Sequence, residues 1–156
     1  MTQLSVRRCT ARDVARVAAD EPEGKDYARR TFSRQSAGEC AYLVAWLGAE
    51  PVGSGELEWV PVPELKNLHV SAAHRGRGIG SEIVAAVEAE VAAAGEFTHL
   101  WIGVGEHNPD ARRLYERLGY TPTGRTETYS YTYVDSEGTK QAITETSEYL
   151  QKRVGT

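Results

Sequence analysis

Apolar and polar residues alternate in short runs along much of the chain, and such runs predict strands. The predicted strands cover residues 4–6, 40–47, 52–59, 64–71 and 99–104. The run at 40–47 is apolar on both faces, which is typical of a strand that is covered on both sides. A turn at 48–51 follows directly, so we expect this strand to pair antiparallel with the next one.

Two short helices are predicted in the first quarter of the chain. Thr10 and Asp13 form a capping-box pattern, which predicts a helix that ends near residue 20. A second short helix is expected at 27–34, within a polar stretch.

Two further helices have clearer signals. Residues 81–94 carry one apolar stripe and are followed by Gly95, which predicts a helix that stops there. Asn108 predicts the cap of the last helix, and Gly119 predicts its end. The order of strand, turn, helix and strand between 64 and 104 predicts a βαβ unit with parallel strands.

The last third of the chain alternates aromatic and polar residues. Three tyrosines at 129, 131 and 133, a turn at 135–138 and a returning run at 143–150 predict a terminal hairpin. Together the elements predict a single α/β domain over residues 1–156. Its sheet would be mixed, mostly antiparallel, with six to seven strands flanked by four helices.

The composition argues against several classes of protein. The 156 residues are 40% hydrophobic and 26% charged, and no apolar run resembles a signal peptide or a membrane span, so we expect a cytoplasmic protein. A net charge of −4 argues against nucleic-acid binding and agrees better with a cationic substrate. Cys9 and Cys40 are the only cysteines, and neither they nor the histidines show the spacing of metal ligands. We therefore expect packed, reduced thiols and no metal.

The candidate chemistry centres on a glycine-rich turn between a predicted strand and a predicted helix. Its sequence at 74–81 is HRGRGIGS. Glycines let a ligand approach the backbone, and a helix N-terminus directs free N–H groups and a positive dipole end at a phosphate. An ordinary strand-to-helix turn is the alternative. The Gly-Lys-Ser/Thr of a P-loop and the GxGxxG of a dinucleotide fold are both missing from this turn.

Two segments fit the motifs of one family. Arg75, Gly78 and Gly80 fit the pattern Gln/Arg-x-x-Gly-x-Gly/Ala. Residues 108–120, with the sequence NPDARRLYERLGY, fit Asn-x-x-Ala-x-x-Leu-Tyr-x-x-Leu-Gly-Phe/Tyr. In this order the two motifs resemble the GCN5-related N-acetyltransferase (GNAT) superfamily. Ala73 departs from the proline that is common there.

The resemblance implies an acetyl-coenzyme A site in a cofactor-binding core at about 64–120. The pyrophosphate would be bound by Arg75, Gly76, Arg77, Gly78, Ile79, Gly80 and Ser81. The pantetheine arm would pair with the backbone of Leu68 and Val70, and Asn108 would belong to the same site. Segments at about 10–39 and 121–154 would shape the site of the acceptor.

The resemblance also implies catalytic roles. Tyr115 lies on the helix stripe that should face the sheet, and it would protonate the departing thiolate of coenzyme A. A core aromatic is the alternative interpretation. An amine must lose a proton before it attacks, and Glu64 stands where the histone-acetylating branch has its glutamate. Glu56, Glu58, His69 or an ordered water are alternative bases.

The sequence thus predicts an N-acetyltransferase that passes the acetyl group directly to a primary amine of a small molecule or peptide. The transfer would occur in a ternary complex, and a homodimer is compatible with the class. A catalytically silent acyl-coenzyme A binder of the same fold and an unrelated phosphate-binding domain are rival hypotheses. The acidic residues Asp20, Glu21, Glu23 and Asp26 would either attract a cationic acceptor or form a solvated loop.

Overall fold

The computed structural model describes residues 3–22 and 24–155. Within them are seven strands, β1 (Leu4–Arg8), β2 (Cys40–Leu47), β3 (Glu50–Glu58), β4 (Glu64–Val70), β5 (His99–Gly105), β6 (Thr121–Val134) and β7 (Lys140–Arg153). The four helices are α1 (Val14–Ala18), α2 (Tyr27–Ser36), α3 (Ile79–Ala94) and α4 (Pro109–Arg117). The α/β class and the numbers of strands and helices agree with the prediction. Glu23 of the acidic run lies outside the described residues.

The described residues divide into two compact units, one with residues 3–100 and 153–155 and the other with residues 101–152. In the first unit β1, β2, β3 and β4 pair antiparallel in chain order. On one face, Tyr42, Val44 and Trp46 of β2 form a buried cluster with α1 and α2 residues. Nearly every residue of β2 is buried, which confirms that the strand is covered on both sides.

Helix α3 covers the other face of the four strands. The predicted stripe is confirmed, because Ile83, Val84, Val87 and Val91 are all buried. β3 carries glycine where α3 comes close, since a Cβ at Gly55 would lie 2.9 Å from the Ile83 side chain. The helix ends at Gly95, which has the left-handed conformation expected of a stop.

The first helix differs from its prediction. The Asp13 carboxylate accepts hydrogen bonds from the Thr10 backbone N–H at 2.8 Å and from its hydroxyl at 2.9 Å. These bonds stabilise a turn, and the helix begins only at Val14. It also ends at Ala18 instead of near residue 20. Each helix in the described part of the chain is too short or too polar to cross a membrane.

In the second unit the strand order is β5, β7, β6, and β6 and β7 form an antiparallel hairpin. The predicted turn is confirmed, since the Asp135 side chain accepts the backbone N–H groups of Glu137 and Thr139, each at 2.9 Å. The strands are longer than predicted, because pairing extends back to Thr121. The Asn108 side chain caps α4 by accepting the Ala111 N–H at 3.2 Å, as predicted.

Candidate functional site

The glycine-rich turn has the backbone geometry of an open ligand cradle. Gly76 and Gly78 adopt φ angles of 77° and 80°, which other residues adopt only with strain. Apart from the glycine itself and its chain neighbours, no heavy atom of the described residues lies within 4 Å of the point that a Cβ would occupy at either glycine. Helix α3 begins directly after Gly78 rather than at the predicted Ser81, so Ile79, Gly80 and Ser81 form its first turn. Their backbone N–H groups have no acceptor within the helix.

Arg75 links this turn to the end of β4. Its Nε donates a hydrogen bond to the Val70 carbonyl oxygen at 3.2 Å. Between them, the Ser71 hydroxyl and His74 Nδ1 lie 2.7 Å apart and close the short 3-10 helix Ala72–His74. Arg75 and Arg77 are both exposed, so their charges are open to an anionic ligand.

Strand β4 contains a bulge that the sequence pattern did not predict. Ser54 pairs with His69 but Glu56 pairs with Lys66, so two residues of β4 oppose Gly55 alone. Asn67, one of the two, has a φ of 55°. The bulge thus includes Leu68 and lies just before Val70, the two residues expected to contact the pantetheine arm.

Beside the bulge, β3 buries two carboxylates. Glu56 and Glu58 are 2% and 7% exposed, and Arg34 of α2 forms ion pairs with both. Burial and the nearby Glu56 raise the pKa of Glu58. Strand alternation alone would place these two side chains in solvent. They are buried because Arg34, which lies on α2 and not on the strand, compensates their charges.

Glu56 is the centre of this network. It accepts the Tyr27 hydroxyl at 2.8 Å and the Asn67 side-chain amide at 3.0 Å. Burial opposes its ionisation. The neighbouring Glu58 carboxyl, whose pKa is raised in its place, and the bonds from Asn67, Tyr27 and Arg34 hold the pKa of Glu56 well below its ordinary value. Glu56 is therefore a fixed anion that stabilises its neighbours.

Glu64, the preferred base, is the half-buried first residue of β4 and pairs with Glu58. Directly paired residues project from the same face of a sheet. Glu64 thus shares the α1/α2 face with Glu58 and Glu56, the other two candidate glutamates. His69 is exposed on the same strand.

A cavity of about 600 Å³ lies on this face of the first unit. Aromatic and aliphatic side chains make up much of its lining, namely Val17, Tyr27, Tyr42, Val44, Val52 and Leu68. Asp20 and Glu21, which carry carboxylates, and Asn67 of the bulge also line the cavity. None of the described lining residues is Lys or Arg. Its volume is typical of a site for a small organic ligand.

Two of the acidic residues near α2, Asp20 and Glu21, form structural interactions. The Glu21 carboxylate accepts the backbone N–H groups of Tyr27 at 3.1 Å and Ala28 at 2.6 Å. Glu21 therefore caps α2, where a negative charge also complements the helix dipole. Asp20 pairs with Arg16 at 3.1 Å on the surface.

In the second unit, Tyr115 on α4 is 6% exposed and packs edge-on against Tyr120, with ring centroids 6.3 Å apart. The predicted inward direction of this side chain is confirmed. Burial raises the pKa of Tyr115, so its hydroxyl keeps its proton at neutral pH.

The two cysteines are buried and unpaired with each other, as predicted. Burial raises the pKa of both Cys9 and Cys40 to about 11. A thiol with this pKa contains little thiolate at neutral pH, and the thiolate is the nucleophilic form. Neither side chain is suited to carry an acyl group.

Comparison with known proteins agrees with the resemblance. Residues 9–120 match the model of the acetyltransferase (GNAT) family. No curated protein sequence matches the chain significantly.

Solved structures of the same fold cover nearly the whole chain. An N-acetyltransferase from Staphylococcus aureus Mu50 has a TM-score of 0.72 and 16% identity over 98% of this chain and 99% of its own. The ribosomal-protein-S18-alanine N-acetyltransferase of Escherichia coli has a TM-score of 0.71 and 16% identity over 99% and 96%. A GNAT family acetyltransferase from Elizabethkingia anophelis, solved with acetyl-CoA bound, has a TM-score of 0.65 and 18% identity over 96% and 97%. The motifs, the fold and the family match together establish that this chain belongs to the acetyltransferase (GNAT) family.

Proposed function

We propose that this protein is an N-acetyltransferase that binds acetyl-coenzyme A and transfers its acetyl group directly to a primary amine. The observation that carries the proposal is the turn at 75–78, where two left-handed glycines leave open space in front of the first turn of α3. Such a turn fits a pyrophosphate, because backbone N–H groups and the helix dipole both favour an anion. The acetyl-CoA bound to the Elizabethkingia relative supports the same ligand.

The proposed cofactor site lies within residues 64–120. The residues from Arg75 to Ser81 bind the pyrophosphate, with two arginines adding charge to the backbone donors. The backbone of Leu68 and Val70 pairs with the pantetheine arm. Asn108 supports the site indirectly, because its side-chain oxygen is engaged in capping α4.

The proposed acceptor site includes the cavity beside the β4 bulge, within the segment 10–39 and its neighbouring strands. Its lining is mainly apolar, and Glu21, which caps α2, leaves a negative charge beside it, which suits an amine with an apolar body. A lysine-like amine has a pKa of about 10.4, so roughly one molecule in a few thousand is neutral at pH 7. A base is therefore valuable, and we assign it to Glu64 on the same face of the sheet. His69, which lines the cavity, is the alternative base. Glu56 is a poor base because its pKa is lowered.

Tyr115 is the proposed acid. As the amine nitrogen bonds to the thioester carbonyl carbon, the carbon–sulfur bond breaks and the sulfur takes the electron pair. The Tyr115 hydroxyl gives the sulfur a proton and regains one from solvent, and the protons lost by the amine go to Glu64 or to a water. A tyrosine hydroxyl carries its proton at neutral pH, and burial, which raises the pKa of Tyr115, makes it a weaker acid than a solvated tyrosine. This role rests on the match of residues 108–120 to the family motif.

A thiol-release assay with acetyl-coenzyme A and a panel of amines tests the proposal. We expect release with at least one amine, and a rise in melting temperature on adding acetyl-coenzyme A alone. A rise without release for any amine would favour the silent acyl-coenzyme A binder. No rise with coenzyme A, but a rise with a nucleotide, would favour the unrelated phosphate-binding domain. The cytoplasmic location and the homodimer stay predictions.

A further inference from the structure

We propose that Glu56 is a positioning residue, whose carboxylate holds Asn67 in its left-handed conformation and so fixes the bulge of β4. The effect on catalysis rests on the proposed function, whereas the effect on the bulge does not. The argument depends on three features of the first unit, namely the backbone of Asn67, the anchoring of Glu56 and the register of β4.

The backbone of Asn67 requires a support. A φ of 55° is uncommon for any residue other than glycine, although asparagine tolerates it better than most. Such a conformation persists where the surrounding structure holds it in place. The hydrogen bond from Asn67 Nδ2 to Glu56 Oε2, at 3.0 Å, is a direct connection between this residue and the neighbouring strand.

Glu56 is itself firmly anchored. Its side chain is 3% exposed, the Tyr27 hydroxyl binds the same Oε2 atom, and Arg34 binds Oε1. Tyr27 and Arg34 both belong to α2, so this helix fixes the carboxylate that in turn fixes the bulge. A buried anion with these partners is a rigid acceptor, and Asn67 has little freedom to leave it.

The bulge determines which backbone atoms β4 presents after Asn67. Without the extra residue, the strand from Leu68 onward would move by one position relative to β3, and each side chain would change face. The backbone of Leu68 and Val70, proposed to bind the pantetheine arm, would then be displaced. Glu56 would thus influence cofactor binding without touching the cofactor.

The test compares two substitutions of one residue. Asn67→Ala removes the amide and disfavours a positive φ, whereas Asn67→Gly removes the amide but adopts this φ freely. We expect faster amide hydrogen exchange at residues 68–70 in Asn67→Ala than in Asn67→Gly. For acetyl-coenzyme A affinity, measured by calorimetry, we expect a loss of about tenfold in Asn67→Ala and under about threefold in Asn67→Gly.

Glu56→Ala completes the test. We expect it to speed exchange at 68–70 in the wild-type background but to have little effect in the Asn67→Gly background. Val62, which has a φ of 69° in the β3–β4 connection, supplies the control, since Val62→Gly should leave exchange and affinity at wild-type values. Should Glu56→Ala fail to fold, Asn67→Asp takes its place, because aspartate tolerates this φ but its carboxylate cannot donate to Glu56, and we expect it to speed exchange at 68–70 as well. Equal exchange at 68–70 in both Asn67 variants would overturn the proposal, and absent acetyl-coenzyme A binding by the wild type would instead count against the proposed function.

Discussion

The turn at 75–78 and the helix around Tyr115 are built on opposite principles. The turn is exposed, and its glycines leave the space in front of the backbone empty. Tyr115 is buried, with an aromatic neighbour and a raised pKa. Backbone groups would act in the first region, and a single hydroxyl would act in the second.

This difference indicates how each region should respond to substitution. Almost any side chain at Gly76 or Gly78 should interfere with binding, because both glycines have positive φ and the ligand would occupy the empty space. In α4 the ring has a packing role and only the hydroxyl has a chemical one. Affinity should therefore report on the turn, and the catalytic rate should report on Tyr115.

The largest expected effect is that of Gly78→Glu. The variant places a side chain and a negative charge in front of α3 and strains a backbone with a φ of 80°. We expect acetyl-coenzyme A affinity, measured by calorimetry, to fall by at least about a hundredfold. Gly95→Glu is the matched control, because Gly95 has a φ of 74° and equally open space at the other end of α3. It should lose stability but keep its affinity, and equal affinities in all three proteins would contradict the assignment of the turn.

Tyr115→Phe should give the next largest effect. The substitution keeps the ring and removes the proton donor, so we expect kcat to fall by at least about tenfold with affinity within a few-fold of wild type. Tyr120→Phe, at the buried tyrosine that packs against Tyr115, is the control and should retain kcat. A folded Tyr115→Phe enzyme with the wild-type rate would leave Tyr115 as a core aromatic only.

Glu64→Gln should have a smaller effect that depends on pH. The amide keeps the shape of the side chain but cannot accept a proton, so we expect a loss of about three- to tenfold that is greatest at low pH, where the amine is most protonated. A pH–rate profile is the measurement. Glu58→Gln is the comparison, because Glu58 pairs with Glu64 across the two strands and burial raises the pKa of Glu58. If Glu58→Gln changes the profile and Glu64→Gln does not, the base is Glu58.

The smallest expected effect concerns the cysteines. Treatment with iodoacetamide at pH 7 should leave activity unchanged, because Cys9 and Cys40 are buried and have pKa values of about 11. Mass spectrometry would verify that both thiols stay unmodified in the folded protein. Inactivation in step with modification of either cysteine would point to a covalent acyl carrier, and the roles given to the turn and Tyr115 would need revision.

The sequence predicted the turn and the direction of Tyr115 because both depend on local spacing. The glycines mark the turn between strand and helix, although α3 begins at Ile79 and not at Ser81. A seven-residue offset from the cap Asn108 places Tyr115 on the buried stripe. The same kind of signal predicted β2 with its observed bounds, Cys40–Leu47. Helices and strands with one dominant local pattern were therefore predictable.

The sequence could not predict the features that depend on distant partners. Burial of Glu56 and Glu58 requires Arg34, more than twenty residues earlier, and the Asn67 bulge requires the Glu56 carboxylate across a strand pair. The extra length of the hairpin was also missed. Its strand β6 begins with Thr121 and Pro122 and stays exposed along most of its length, so it has no apolar face to mark its start.

The exposed hairpin has a consequence for the behaviour of the protein in concentrated solution. In the second unit β6 is the outer strand of the order β5, β7, β6, and an outer strand has one side of its backbone ready to pair with another strand. Tyr129, Tyr131 and Tyr133 are each 43–44% exposed on it, within a run of residues that favour strands. We therefore expect molecules to associate through this edge when the protein is concentrated. A lysine introduced at Thr132 should raise the concentration at which the protein precipitates.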